Sequence, residues 1–130
     1  MSDQTLTSAE FRCLREYLGL TAGWLATHTG YAERTVLRWE FGDQTPAPNA
    51  VRQLLEIQTQ TREVVSGLVL ACADMAEPVI ETYRKDAEFR AHWPDLPFPA
   101  LWHRALAHRA AAVASARIRY WVPPEDNAAH

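Results

Sequence analysis

Glu33, Arg34, Thr35 and Arg38 lie within a run of six residues, and all four side chains are suited to the edges of base pairs. Arg donates in a bidentate manner to guanine O6 and N7, Glu accepts from cytosine N4, and Thr serves either base or touches a thymine methyl. Glu33 suits the task least, because a carboxylate also repels phosphate. The alternative for Glu33 and Arg34 is that they decorate a solvated helix face.

The surrounding residues predict how this set is held. Thr21 is suited to cap a helix over Ala22–Thr29, whose Trp24, Leu25 and Ala26 are apolar. Gly30 follows where a helix ends with positive φ, and Tyr31 falls in the turn. A second helix is predicted over Glu33–Phe41, with Val36, Leu37 and Trp39 supplying apolar contacts. Gly42 stops it, and Pro46 and Pro48 forbid continuation. Two short helices joined by a tight turn form the layout in which one helix crosses the DNA backbone and the next enters the major groove.

The stretch resembles the lambda-repressor-like, Cro/C1-type helix-turn-helix family (the XRE family). The family pattern is matched at Gly19, Leu20, Thr21, Leu25, Ala26, Gly30, Arg34, Thr35, Val36, Arg38, Trp39, Glu40, Gly42 and Pro46, and upstream through Leu6, Phe11, Leu14, Arg15 and Leu18. The resemblance covers residues 5 to 66 and implies a DNA-contacting set of Thr21, Ala22, Glu33, Arg34, Thr35, Arg38 and Phe41. It also implies an ion pair between Arg15 and Glu40 that ties the first helix to the end of the recognition helix. Two departures stand out. Ala22 replaces a Gln that usually bonds phosphate, and Gly23-Trp24 replaces an acidic pair. Backbone N–H groups at that helix start can still hold a phosphate, and Trp24 suits packing better than insertion into DNA.

At 130 residues and 48% apolar content, the chain fits one compact domain or two very small ones. It has no apolar run of 18 residues and no basic-then-apolar start, so a cytoplasmic location with no membrane association is expected. Cys13 and Cys72 are expected to be buried small residues. No Cys/His spacing suggests zinc, and no metal or cofactor is expected. The net charge of −3 is not that of a bulk nucleic-acid binder, but residues 99 to 122 hold Arg104, Arg109, Arg117 and Arg119 and no acid. The chain lacks an evident Ser/His/Asp set or phosphate-cradling glycine loop, so no catalytic residues and no enzyme activity are expected.

Beyond Pro48, Asn49 is predicted to cap a long helix from about Ala50 to Ala73. Its apolar residues recur at three- and four-residue steps, with a polar weak point at Gln58 to Arg62. A strand is expected over Val79–Arg84 and a short helix capped by Asp86, with Phe89 and Trp93 one turn apart. Pro99 suits the first position of a helix over Ala100–Val113, with an apolar stripe of Leu101, Trp102, Ala105, Leu106, Ala112 and Val113. His103, Arg104 and His108 are expected to face elsewhere. Ile118, Tyr120 and Val122 alternate with Arg117, Arg119 and Trp121, which predicts a final strand. Strand, helix, helix, strand allows one parallel pair by crossover. Two strands alone are marginal, so the sheet is expected to extend across a dimer or to be covered by Phe89, Trp93, Phe98, Trp102 and Trp121.

This order, with Y-R-x-x-A-E-F and a Pro-rich loop before Trp102, resembles the YdiL-like regulators, which include anti-CRISPR-associated autorepressors. The resemblance implies a homodimer formed through the C-terminal region, with Val65, Leu68, Val69, Trp102, Ile118 and Tyr120 as candidate contacts. The expected fold is mainly α with a small C-terminal α+β part. Residues 1–66 would form the helix-turn-helix bundle and the start of the linking helix, residues 67–122 the dimerisation region, and residues 123–130 a frayed tail. The expected function is a dimeric repressor reading an operator in double-stranded DNA near its own promoter. The alternatives are an antitoxin-type module that binds a toxin partner through the C-terminal region, and RNA binding there through Trp102, Tyr120 or Trp121. Against the latter, those aromatics are better read as core residues and the arginines of that stretch as solvated.

Overall fold

The computed structural model describes residues 4–124, so the expectation for residues 125–130 lies outside the described residues. The chain is mostly helical. Three short helices come first: α1 (Ser8–Tyr17), α2 (Ala22–Thr29) and α3 (Glu33–Phe41). The long α4 (Pro48–Ala73) follows, then β1 (Val79–Thr82), α5 (Asp86–His92), α6 (Ala100–Ala114) and β2 (Arg117–Tyr120).

Local chemistry sets most of these boundaries. Thr7 and Glu10 start α1 with reciprocal bonds: Thr7 Oγ1 accepts from the Glu10 amide at 3.0 Å, and Glu10 Oε1 accepts from the Thr7 amide at 2.8 Å. Thr21 Oγ1 accepts from the Trp24 amide at 3.0 Å and caps α2. Gly30 and Gly42 end α2 and α3 in the left-handed conformation, at φ 84° and 88°. The predicted cap Asn49 is instead inside the first turn of α4, where its Oδ1 accepts from Arg52. Ala47 takes the cap position and Pro48 the first turn, where its missing N–H costs nothing. Across the polar stretch of α4, Ile57 and Thr61 keep the inward stripe continuous.

β1 and β2 are parallel, with Val79 opposite Arg117 and Thr82 opposite Tyr120. β1 ends at Thr82 rather than Arg84, because the Tyr83 and Arg84 carbonyls accept from Arg104 Nη1 instead of from a neighbouring strand. Val122 likewise lies beyond β2. Asp86 is the first residue of α5, not its cap, and its Oδ1 accepts from the Ala100 amide at 2.8 Å. One carboxylate thus links the starts of α5 and α6. Pro99 is the cap residue of α6, one position earlier than predicted.

The inward face of α6 is rotated from the predicted stripe. Trp102, His103, Leu106, Ala107, Ala110 and Ala111 are buried, whereas Leu101, Ala112 and Val113 are exposed. Two neighbours decide this. Thr82 supplies His103 with a polar partner inside the fold, and the Ala residues let α6 lie close to Cys72 and Ile80. Trp93 is also largely outside the aromatic cluster, at the C-terminal cap of α5, with Nε1 donating to the Tyr83 hydroxyl at 3.3 Å.

One core runs through both halves of the chain. Phe11, Leu25 and Val36 of the first three helices, with Leu18 just past α1, pack in the same cluster as Leu54 of α4 and Phe89, Phe98, Trp102 and Leu106. Burying each large apolar side chain stabilises by roughly 1.5–3 kcal/mol, and a second cluster of Cys72, Ile80, Ala107, Ala110 and Ala111 adjoins it at the C-terminal end of α4.

Candidate nucleic-acid interface

α3 has two contrasting faces. Val36, Trp39 and Glu40 are buried, while Glu33, Arg34 and Arg38 are exposed and Thr35 is half-buried. Arg34 and Arg38 are four residues apart and so extend from the same side of the helix. The inner face is anchored by Trp39, whose ring meets Phe11 edge-on at 5.7 Å and Tyr31 at 4.8 Å. Two Arg side chains therefore project from a helix whose back is fixed by aromatic packing.

The end of α3 is tied to α1 by a buried ion pair. Arg15 Nε donates to Glu40 Oε2 at 2.6 Å and Arg15 Nη2 donates to Glu40 Oε1 at 2.7 Å. Arg15 Nη1 donates to the Leu20 carbonyl at 2.8 Å, so one guanidinium joins α1, the turn before α2, and α3. Its bond to Glu40, opposed in part by burial, raises the Arg15 pKa further above its ordinary value, and the charge is permanent. This bidentate form is the strong class of charged hydrogen bond.

Glu33 is placed differently from Arg34 and Arg38. A Cβ built on Gly23 would lie 3.1 Å from Glu33 Oε2. The carboxylate thus rests against the first turn of α2, where a helix N-terminus favours negative charge. The absent side chain of Gly23 makes room for it. Thr21 and Ala22 stand at this same helix start, Thr21 exposed and Ala22 half-buried. Phe41 is exposed at the far end of α3, with the Arg12 guanidinium 6.0 Å from its ring centre.

Trp24 packs rather than projecting. It stacks on His28 at 4.7 Å and leans on Phe98 at 5.7 Å. Gly19 carries a role the motif does not announce. Its φ is 71°, and a Cβ there would sit 2.7 Å from the Leu101 carbonyl oxygen. The backbone of α6 therefore presses on the turn that leads into α2.

Of the C-terminal residues singled out from sequence, Trp102 is fully buried and donates from Nε1 to Thr61 Oγ1 at 2.9 Å. It belongs to the core of the subunit and has no surface to offer a second copy or a nucleic-acid base. Val65, Leu68 and Val69 are half-buried on α4, and Ile118 and Tyr120 are exposed on β2. Cys13 is exposed, against expectation, because α1 turns the neighbouring Phe11 inward; Cys72 is buried, and both are free thiols. Among the described residues no group of three or more His, Cys, Asp or Glu could hold a metal ion, and no helix is long and apolar enough to cross a membrane.

Residues 8–65 match the family model described as a helix-turn-helix domain. That span runs from the start of α1 well into α4 and contains the whole of α2 and α3. Comparison with curated proteins returns no match.

Proposed function

We propose that this chain, whose residues 8–65 match the family model described as a helix-turn-helix domain, is a sequence-specific DNA-binding regulator, acting in the cytoplasm as a homodimeric repressor near its own promoter. The observation that carries this is the two-faced α3, with Arg34 and Arg38 outward and Thr35 half-buried beside them, over a buried back of Val36, Trp39 and Glu40. In this reading α3 lies in the major groove, and Arg34 and Arg38 donate to guanine edges. The N-terminus of α2, with Thr21 and Ala22, holds a phosphate through backbone N–H groups. Repression follows from occupying the site that polymerase would use.

The proposal of a dimer draws support from the sheet. A two-stranded sheet is marginal alone, and all four residues of β2 are exposed. Ile118 and Tyr120 on β2, with the half-buried Val65, Leu68 and Val69 on α4, are the proposed contacts. Leu70 and Val113, each 71% exposed, add apolar surface to the same two helices that carry the C-terminal packing. Two copies related by a two-fold axis would read an inverted repeat with half-sites about one helical turn apart.

The test is fluorescence anisotropy with the duplex immediately upstream of the gene, at two salt concentrations, with random DNA as competitor. Tight binding that survives competitor and is lost in Arg38→Ala supports the proposal. Binding no better than to random DNA overturns it.

A further inference from the structure

The charge of the chain is unevenly divided. Residues 1–78 hold ten Asp or Glu against six Lys or Arg, whereas residues 79–122 hold seven Lys or Arg against four Asp or Glu. The half that carries α3 is therefore acidic, and three of its cations face carboxylates: Arg12 beside Glu16, Arg15 beside Glu40 and Arg52 beside Glu56. Attraction to a phosphate backbone must come largely from elsewhere, since such binding scales with the number of phosphates neutralised.

Three of the C-terminal cations stand around one end of the sheet, Arg119 on the face of Glu81 and Arg84 on the face of Tyr120. Arg104 Nη1 donates to the Tyr83 carbonyl at 2.7 Å and to the Arg84 carbonyl at 3.2 Å. The Arg84 guanidinium stands 4.2 Å over the Tyr120 ring. Arg104, Ile118, Arg119 and Tyr120 line one hollow beside Thr82, the last residue of β1. Arg104 also lines a second cleft, of about 450 Å³, whose opposite wall is Gly19, Leu20 and Thr21. Arg104 thus lines both the cleft at the start of α2 and the hollow that Arg119 shares. Two backbone carbonyls hold its Nη1, so the guanidinium is ordered in advance and its remaining N–H groups are free of that task.

We propose that Arg84, Arg104 and Arg119 form a second phosphate-binding surface, continuous with the N-terminus of α2, that engages the DNA backbone beside the segment read by α3. This inference rests on the DNA-binding reading above. The opposing carboxylates are Glu16 in the cleft and Glu81, 3.5 Å from Arg119. The Arg119 and Glu81 side chains are both well exposed, and an exposed pair of this kind is exchanged for a phosphate at little cost. Ile118 and Tyr120, the proposed dimer contacts of β2, line the same hollow, so the cations border the seam of the proposed dimer.

The experiment measures the dependence of DNA affinity on salt for the full chain, by anisotropy between 50 and 200 mM salt. It uses one duplex ending at the segment read by α3 and one extended by a full turn on each side. Arg84→Gln and Arg119→Gln are made singly and together; both residues are exposed, and a unchanged urea midpoint verifies the fold. Each phosphate contact contributes about 0.9 to the slope of log affinity against log salt. The double variant is expected to lower the slope on the long duplex by about 1.8, so that wild type loses roughly tenfold more affinity across this salt range. The loss should be equal for upstream and random sequences, and absent on the short duplex. An unchanged slope on the long duplex overturns the proposal. Arg38→Ala separates the two readings, since it should remove sequence preference while retaining most of the slope. If wild type shows no preference at all, base reading fails while the slope comparison still decides the basic surface.

Discussion

Trp102 Nε1 donates to Thr61 Oγ1 at 2.9 Å, and Thr61 in turn donates to the Ile57 carbonyl at 2.6 Å. All of this is buried, at the point where α6 crosses α4. A hydroxyl that accepts from one helix and donates within another fixes how the two align.

Thr61→Val keeps the volume but leaves the indole N–H without a partner. Stability should fall by about 1–3 kcal/mol, the cost of one unpaired buried donor. Thr61→Ser keeps the hydroxyl and should lose less. Urea unfolding decides between them: the valine variant shifts the midpoint more, with an unchanged slope.

Gly19→Ala and Gly30→Ala should differ in cost although both glycines have positive φ. At Gly30 a Cβ meets nothing within 4 Å, so only the left-handed backbone opposes it, at roughly 1–2 kcal/mol. At Gly19 the Cβ would meet the Leu101 carbonyl oxygen at 2.7 Å, and α6 must shift. Thermal unfolding should rank Gly19→Ala as clearly the less stable; equal midpoints would contradict the close packing of α6 on the turn.

The Arg15–Glu40 pair should be strongly coupled. Arg15→Met leaves a buried carboxylate uncompensated, at a cost of about 3–5 kcal/mol. Arg15→Met with Glu40→Met removes both charges and should recover much of that loss. A double-mutant cycle by denaturation gives the coupling energy. An additive result would mean the pair contributes nothing beyond its parts.

His103 makes stability depend on acid. Burial depresses its pKa from 6.5 to about 4, and its Nδ1 shares a hydrogen bond with Thr82 Oγ1 at 2.7 Å. The unfolded chain therefore binds a proton between these two values while the folded chain does not. The contribution is fully present above pH 6.5 and lost progressively as pH falls towards 4, reaching on the order of 3 kcal/mol. Below pH 4 this group adds no further slope. Denaturation midpoints measured between pH 7 and 4 should show the decline, and His103→Gln should flatten it.

The helix-turn-helix was legible because its signals are local. Thr21 as cap, Gly30 and Gly42 as stops and the apolar spacing of Val36 and Trp39 all act within a turn or two, and the boundaries of α2 and α3 stand where those residues predict. The C-terminal misplacements share a different origin. His103 reads as a polar outward residue until Thr82, 21 positions earlier, comes within hydrogen-bonding distance. Trp102 reads both as a core residue and as a dimer contact until Thr61, 41 positions earlier, meets its indole. Asp86 reads as a cap for its own helix, but the amide it serves is that of Ala100. In each case the partner lies far along the chain, where periodicity carries no information. The crossover and the parallel pairing were nonetheless inferable, since a short connection could not join parallel strands.

The contact of Gly19 with Leu101 bears on how a paired form would measure distance along DNA. The turn before α2 is pressed against α6, and both belong to one continuous core. Among the described residues, no pliable tether separates the three N-terminal helices from the C-terminal half. A dimer built through that half would be a caliper without a hinge, its two tips at a fixed span and phase. One added base pair between half-sites would displace the second by about 3.4 Å and turn it by roughly a tenth of a revolution. A tethered reader would absorb that change, whereas this one would have to distort the duplex or release a half-site.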